Sequence, residues 1–238
     1  MFLRVSLVST VVVFSTLCCG QDRGGVDPRV GSAVLQRILN GSDVSGSLEY
    51  WGSCDLGKPY PDFPRIRFPD NYSGPPLTVL QRMFADDPHM RVTKDGSGII
   101  RMIEDDVPTD ILDVRIQHLS FDKAANEYEG FTSPIDVLSY ILSAPEVRAF
   151  GKAKHLGPDV EAEVRPSTGL RFVAPDGFHF SGDLKNVTLA QALDYVLKTF
   201  PGFWLYQNCR TEGGGRTVFF TFYENAPGTF PSTPIEKQ

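Results

Sequence analysis

Cysteine is scarce in this chain of 238 residues: there are four, and two of them, Cys18 and Cys19, fall near the N-terminus. No Cys-x-x-Cys pair occurs, which excludes a dithiol redox motif. The four histidines, His89, His118, His155 and His179, are scattered. None shares a zinc-ligand spacing such as His-Glu-x-x-His. Gly-x-Ser-x-Gly and the Walker phosphate loop are missing too, so neither a nucleophile elbow nor a nucleotide cradle is encoded. Positive charge is outnumbered, with 23 Lys+Arg against 29 Asp+Glu and a formal charge of −6. A general nucleic-acid binder needs a basic face to displace counterions, so this class is excluded. What remains is an ordinary globular composition, 41% apolar and 22% charged, long enough for one or two domains with a real core.

The N-terminus supplies an address. Arg4 precedes an apolar run over residues 5–17, and Cys18-Cys19-Gly20 follow. One positive charge, a short greasy stretch and small residues at its end form a secretory signal peptide over residues 1–20. The run is interrupted by Ser6, Ser9, Thr10, Ser15 and Thr16, and is shorter than the roughly 20 apolar residues of a spanning helix. The expected location is therefore secreted or periplasmic. Lipidation at Cys18 or Cys19 is the minor alternative, because Leu17 stands where a small residue should precede the lipidated cysteine. Removal of residues 1–20 takes away only Arg4 among charged residues and leaves Cys54 and Cys209. In an oxidising compartment these two can bridge, or they can be unrelated buried thiols. A bridge over so long a loop is worth about 5 kcal/mol in the chain-entropy account. Three Asn-x-Ser/Thr triplets, at Asn40, Asn71 and Asn186, matter only where the host glycosylates exported chains.

Periodicity organises the rest. Val34, Leu35, Ile38 and Leu39 predict a helix closed by Asn40-Gly41, and residues 47–51 a short strand. Residues 66–68 alternate like a strand. Pro75-Pro76 opens a helix bearing Leu77, Leu80 and Phe84, since proline suits a first helical turn. Residues 90–92 and 99–103 flank Lys94-Asp95-Gly96-Ser97-Gly98 and predict a hairpin. Leu112, Val114 and Ile116 alternate as a further strand. Ser133-Pro134 starts a helix with Ile135, Leu138, Ile141 and Leu142, and Ser143 with Glu146 marks a second start. Residues 164–173 and 178–180 read as extended. Thr188 and Gln191 form a capping box ahead of Leu189, Leu193, Val196, Leu197 and Phe200. Pro201-Gly202 ends that helix, and residues 203–207 and 218–223 are aromatic-rich strands.

The expected fold is α+β, with two small βαββ-type units, each a helix on an antiparallel or mixed sheet, joined by a helical connector. The units cover residues 29–121 and 161–224, the connector residues 122–160, and a disordered tail residues 225–238. Both units run strand, helix, hairpin, and nine positions separate Phe68 from Leu77 as they separate Phe180 from Leu189. Duplication explains this plan, as does the frequency of the pattern. Within residues 175–224, the positions Phe180, Asp183 to Leu189, Ala192, Leu193, Leu197 and Trp204 carry a pattern that resembles the short N-terminal domain of secretins and TonB-dependent receptors. The resemblance implies a protein–protein contact module of the cell envelope. It implies no catalytic residue and no cofactor.

Candidate chemistry is sparse. Ser120 and Lys123 have the Ser-x-x-Lys form of penicillin-interacting serine enzymes, without an accompanying Ser-Asp-Asn or Lys-Thr-Gly. Glu104, Asp105, Asp106, Asp110 and Asp113 could offer oxygens to a hard cation, but lack the glycine-punctuated spacing of a calcium loop. The aromatic strands are apolar on both faces. Either a second layer such as the 133–150 helices covers the outer face, or Trp204, Tyr206, Phe219 and Tyr223 contribute a surface for a partner. The resulting expectation is an exported non-enzymatic interaction module whose partner is another envelope or extracellular protein. The alternatives are a secreted hydrolase and a small-ligand-binding protein.

Overall fold

The computed structural model describes residues 28–40, 44–53, 63–68, 72–122, 131, 133–156, 161–166, 180–210 and 215–224. The expected signal peptide over residues 1–20, Cys54, Lys123, His179 and residues 225–238 lie outside them.

The elements in order are α1 (Pro28–Asn40), β1 (Gly46–Ser53), α2 (Pro76–Met83), β2 (Met90–Lys94), β3 (Ile100–Glu104), β4 (Arg115–Ser120), α3 (Pro134–Leu142), α4 (Pro145–Ala153), β5 (Glu161–Pro166), β6 (Asp183–Thr188), α5 (Leu189–Leu197), β7 (Gly202–Arg210) and β8 (Arg216–Glu224). The class is α+β, as expected. Five strands form a mixed sheet in the order β2-β3-β1-β7-β8, with β5 added along β8, and β4 pairs with β6 in a separate antiparallel ribbon.

The local rules explain most elements. Pro76 and Pro134 sit in first turns. The Ser133 hydroxyl accepts the Asp136 N–H. Thr188 and Gln191 close a reciprocal capping box on α5. Residues 95–98 turn β2 into β3, with Gly98 at φ +91, which a side chain would strain. Ser143 differs from expectation: it ends α3, and α4 begins at Pro145 without a side-chain cap. Proline supplies that start by presetting φ.

The expectation of two separate units is corrected by β1. It runs parallel to β3 on one side and to β7 on the other, so both hairpins share one sheet. The first expected leading strand, residues 66–68, is not a strand, and of the second, residues 178–180, only Phe180 lies among the described residues. Residues 66–68 are irregular, with the Arg67 N–H bonded to the Met83 carbonyl at 2.7 Å. Phe180 is also outside any strand, and the strand ahead of α5 is β6, which pairs with β4 rather than with the β7–β8 hairpin. Residues 112–114 form turns, and the strand starts at Arg115.

A central parallel run must be covered on both faces. On one face α1 and α2 bury Leu35, Leu39, Leu80 and Met83 against Leu48, Tyr50, Met102, Phe203 and Leu205. On the other, α3, α5 and the ribbon bury Leu138, Ile141, Leu189, Leu193 and Ile116 against Trp204, Tyr206, Val218, Phe220 and Phe222. The result is three layers, with the sheet between two apolar cores.

Candidate functional site

The expected partner surface is not a surface. Trp204, Tyr206 and Tyr223 are 1%, 0% and 7% exposed, and Phe219 is half-buried. The register explains why the four cannot act together: Trp204 pairs with Phe222 and Tyr206 with Phe220, whereas Tyr223 pairs with Phe203 and Phe219 with Gln207. Paired residues share a face, so the quartet is split between two cores. Both apolar faces are covered by the chain itself.

The other sequence candidates are dispersed. Ser120 ends β4, and Lys123 lies outside the described residues. Of the acidic group, Glu104 accepts the Trp51 N–H at 2.8 Å, Asp105 pairs with Arg91, and Asp110 pairs with Arg216 at 3.1 Å. Among the described residues, no group of three or more His, Cys, Asp or Glu could hold a metal ion. His89, His118 and His155 are exposed, and His118 pairs with Asp183 on the ribbon. Bonds from His118 and then Lys185 hold the Asp183 carboxyl below its usual range. Cys209 is fully buried near the end of β7, and no cysteine pair lies at disulfide distance among the described residues.

A polar cluster that no motif announced lies between the sheet and α5. Leu48 and Tyr50 of β1 point to the α1–α2 core, so Ser47 and Glu49 face the other way, into the α5 layer. Arg101, on adjacent β3, is its centre. Its guanidinium grips both oxygens of Asp194 on α5, at 2.8 and 2.6 Å, and bonds Asp95 through Nε at 2.9 Å. It also donates to Ser47 Oγ at 3.3 Å and lies 5.8 Å from the Trp204 ring centre. The Trp204 indole N–H donates to Asp194 at 3.0 Å. Burial is the largest single influence and opposes the Arg101 charge, but the bonds and charges of Asp194 and Asp95 together outweigh it and raise its proton affinity. For Asp95, burial is likewise overcome, by bonds from Ser97 and Arg101, and its carboxyl is held low. Glu49 is the opposite case. Burial pushes its carboxyl to about 7, against the pull of Arg101 and with the push of Asp194.

Beside this cluster opens a cavity of about 590 Å³, where β1 and β3 begin. Val44, Ile99, Leu184, Val187 and Leu197 give it apolar walls. Lys94, Ser97, Gln191, Asp194, Tyr195 and Lys198 give it polar ones. Its size suits a small ligand. Its chemistry is that of recognition: among the described residues no histidine or cysteine lines it, and the one carboxylate that does, Asp194, is already committed to Arg101 and Trp204. Ser47 and Glu49 sit behind this wall, not in it.

Compared with known families, with curated proteins and with solved structures, the chain matches none. The positions that carry the secretin-like pattern are mostly core residues here, with Leu189, Ala192, Leu193 and Trp204 each at most 1% exposed.

Proposed function

We propose that this is an exported, non-enzymatic binding protein that recognises its ligand in the cavity between the 95–98 turn, β6 and α5. One observation carries the reading: the concave apolar surface is accessible, while the carboxylate in its wall is spent on holding the fold. That combination favours holding a molecule over transforming one. The signal-like residues 1–20 and the secretin-like order of β6, α5, β7 and β8 support an envelope or extracellular setting. Recognition moves from the aromatic strands to the cavity because those strands are interior. The Cys54–Cys209 bridge belongs to this proposal: Gly52 pairs with Cys209 and β1 ends at Ser53 beside Arg210, one position before Cys54 in the sequence.

Nuclear magnetic resonance with a fragment library tests the site. Fragment-induced shifts should concentrate on residues 94–99 and 184–198. Shifts concentrated on another face, or spread over a broad area by a protein from envelope extracts, would move recognition elsewhere.

A further inference from the structure

We infer that the cavity takes a small amphiphile with an anionic head group, a carboxylate or phosphate monoester on a short apolar chain. The inference rests on the cavity being the binding site, and adds the chemistry of what enters it. The walls set the tail: Val44 and Ile99, just ahead of β1 and β3, meet Leu184 and Val187 of β6 and Leu197 of α5 there. The rim sets the head. Lys94 and Lys198 are both exposed, and both belong to the cavity lining. The Lys198 ammonium lies 5.1 Å from the centre of the Tyr195 ring, and Lys94 ends β2 at the start of the 95–98 turn. Among the described residues, neither lysine has a carboxylate partner.

The nearby acids do not supply that partner. Both Asp194 oxygens face the Arg101 guanidinium, and Asp95 is filled by Ser97, Ile99 and Arg101. Gln191 adds to the donor excess, because its amide oxygen accepts the Thr188 N–H at 2.9 Å in the capping box and only its NH2 remains to offer. Two cations and an amide donor beside an apolar hollow, in a chain of net charge −6, form a local reversal of sign. Such a reversal attracts and orients an anion.

Calorimetric titration of the mature chain with octanoate, octyl phosphate, 1-octanol and octylammonium tests this. The two anions should bind at least tenfold more tightly than octanol, and octylammonium most weakly. The ratio of octanoate to octyl phosphate affinity then identifies the head group. In the K94E/K198E double variant the anion preference should disappear and octylammonium should gain, while octanol is unchanged. That gain also shows that the variant folds. Equal binding of all four probes, unchanged in the variant, would overturn the anionic head group and leave the cavity as the binding site. No binding by any probe, with fragments mapping to another face, would overturn both.

Discussion

Glu49 occupies the strand position where alternation reserves a place for water, yet it is only 6% exposed. Its proton is retained because burial makes the anion costly; Arg101 opposes this, and Asp194 and Asp113 add to it, with Ser47 offering a weak bond at 3.5 Å. The sign follows. Below pH 4.5 the group is protonated in folded and unfolded chains alike, and contributes nothing. From there to about 7 the unfolded chain ionises while the folded one keeps its proton, so stability falls as pH rises. Above that range the penalty is complete, about 3 kcal/mol at the usual conversion of pKa to free energy. Glu49→Gln removes the ionisation and keeps the shape. Urea unfolding at pH 4, 6 and 8 should show the variant close to wild type at pH 4 and more stable by a margin that grows toward pH 8. A margin independent of pH would contradict this account of Glu49. Alternation over residues 47–51 reports polarity and not coverage, so it does not disclose that Ser47 and Glu49 are buried. A motif search could not find the cluster either, since Ser47, Arg101 and Asp194 come from three distant segments.

At the scale of elements, local chemistry was legible and pairing was not. The proline starts of α2 and α3, the capping box on α5 and the 95–98 turn all announced themselves through short-range rules. The 66–68 segment did not become a strand, because alternation of three residues says nothing about whether a partner edge is near. The strand directly ahead of α5 is residues 183–188, where Asp183, Lys185 and Asn186 disguise it as a polar loop. Those residues suit a two-stranded ribbon with one wet face, and Leu184 and Val187 pack inward. The β7–β8 hairpin depends on a close approach that was visible only as a Pro-Gly helix stop. A Cβ on Gly202 would lie 2.0 Å from the Tyr223 carbonyl oxygen, across the first rung of the ladder. Gly202→Ala should therefore force the strands apart and cost about 2 kcal/mol or more, on the scale of over-packing and backbone strain. Thermal denaturation checks this, and a variant melting with wild type would remove the packing argument at that end of the sheet.

For the whole molecule, the decisive element is β1, which joins two hairpins that the repeat presents as independent. Composition and helix periodicity made the α+β class legible. The joint sheet was not, because parallel pairing of β1 with both β3 and β7 is long-range and leaves no local mark. The joining matters for function: it stacks a helix layer on each face, hides the aromatic strands and leaves a cavity open beside α5. It also carries Ser53 alongside Arg210, next to Cys209. Thiol titration of the denatured, unreduced mature chain should accordingly detect no free thiol, and two would exclude the Cys54–Cys209 bridge.

Hydroxyl-radical footprinting of the mature chain, alone and with octyl phosphate, reads the burial of the aromatic strands and the use of the cavity together. The account predicts modification of Phe68, which is 46% exposed, and none of Trp204 or Tyr206 in either state. It predicts that Tyr195 and Leu184 lose reactivity when octyl phosphate is added. Modification of Trp204 and Tyr206 to the level of Phe68, with Tyr195 and Leu184 unaffected, would contradict it.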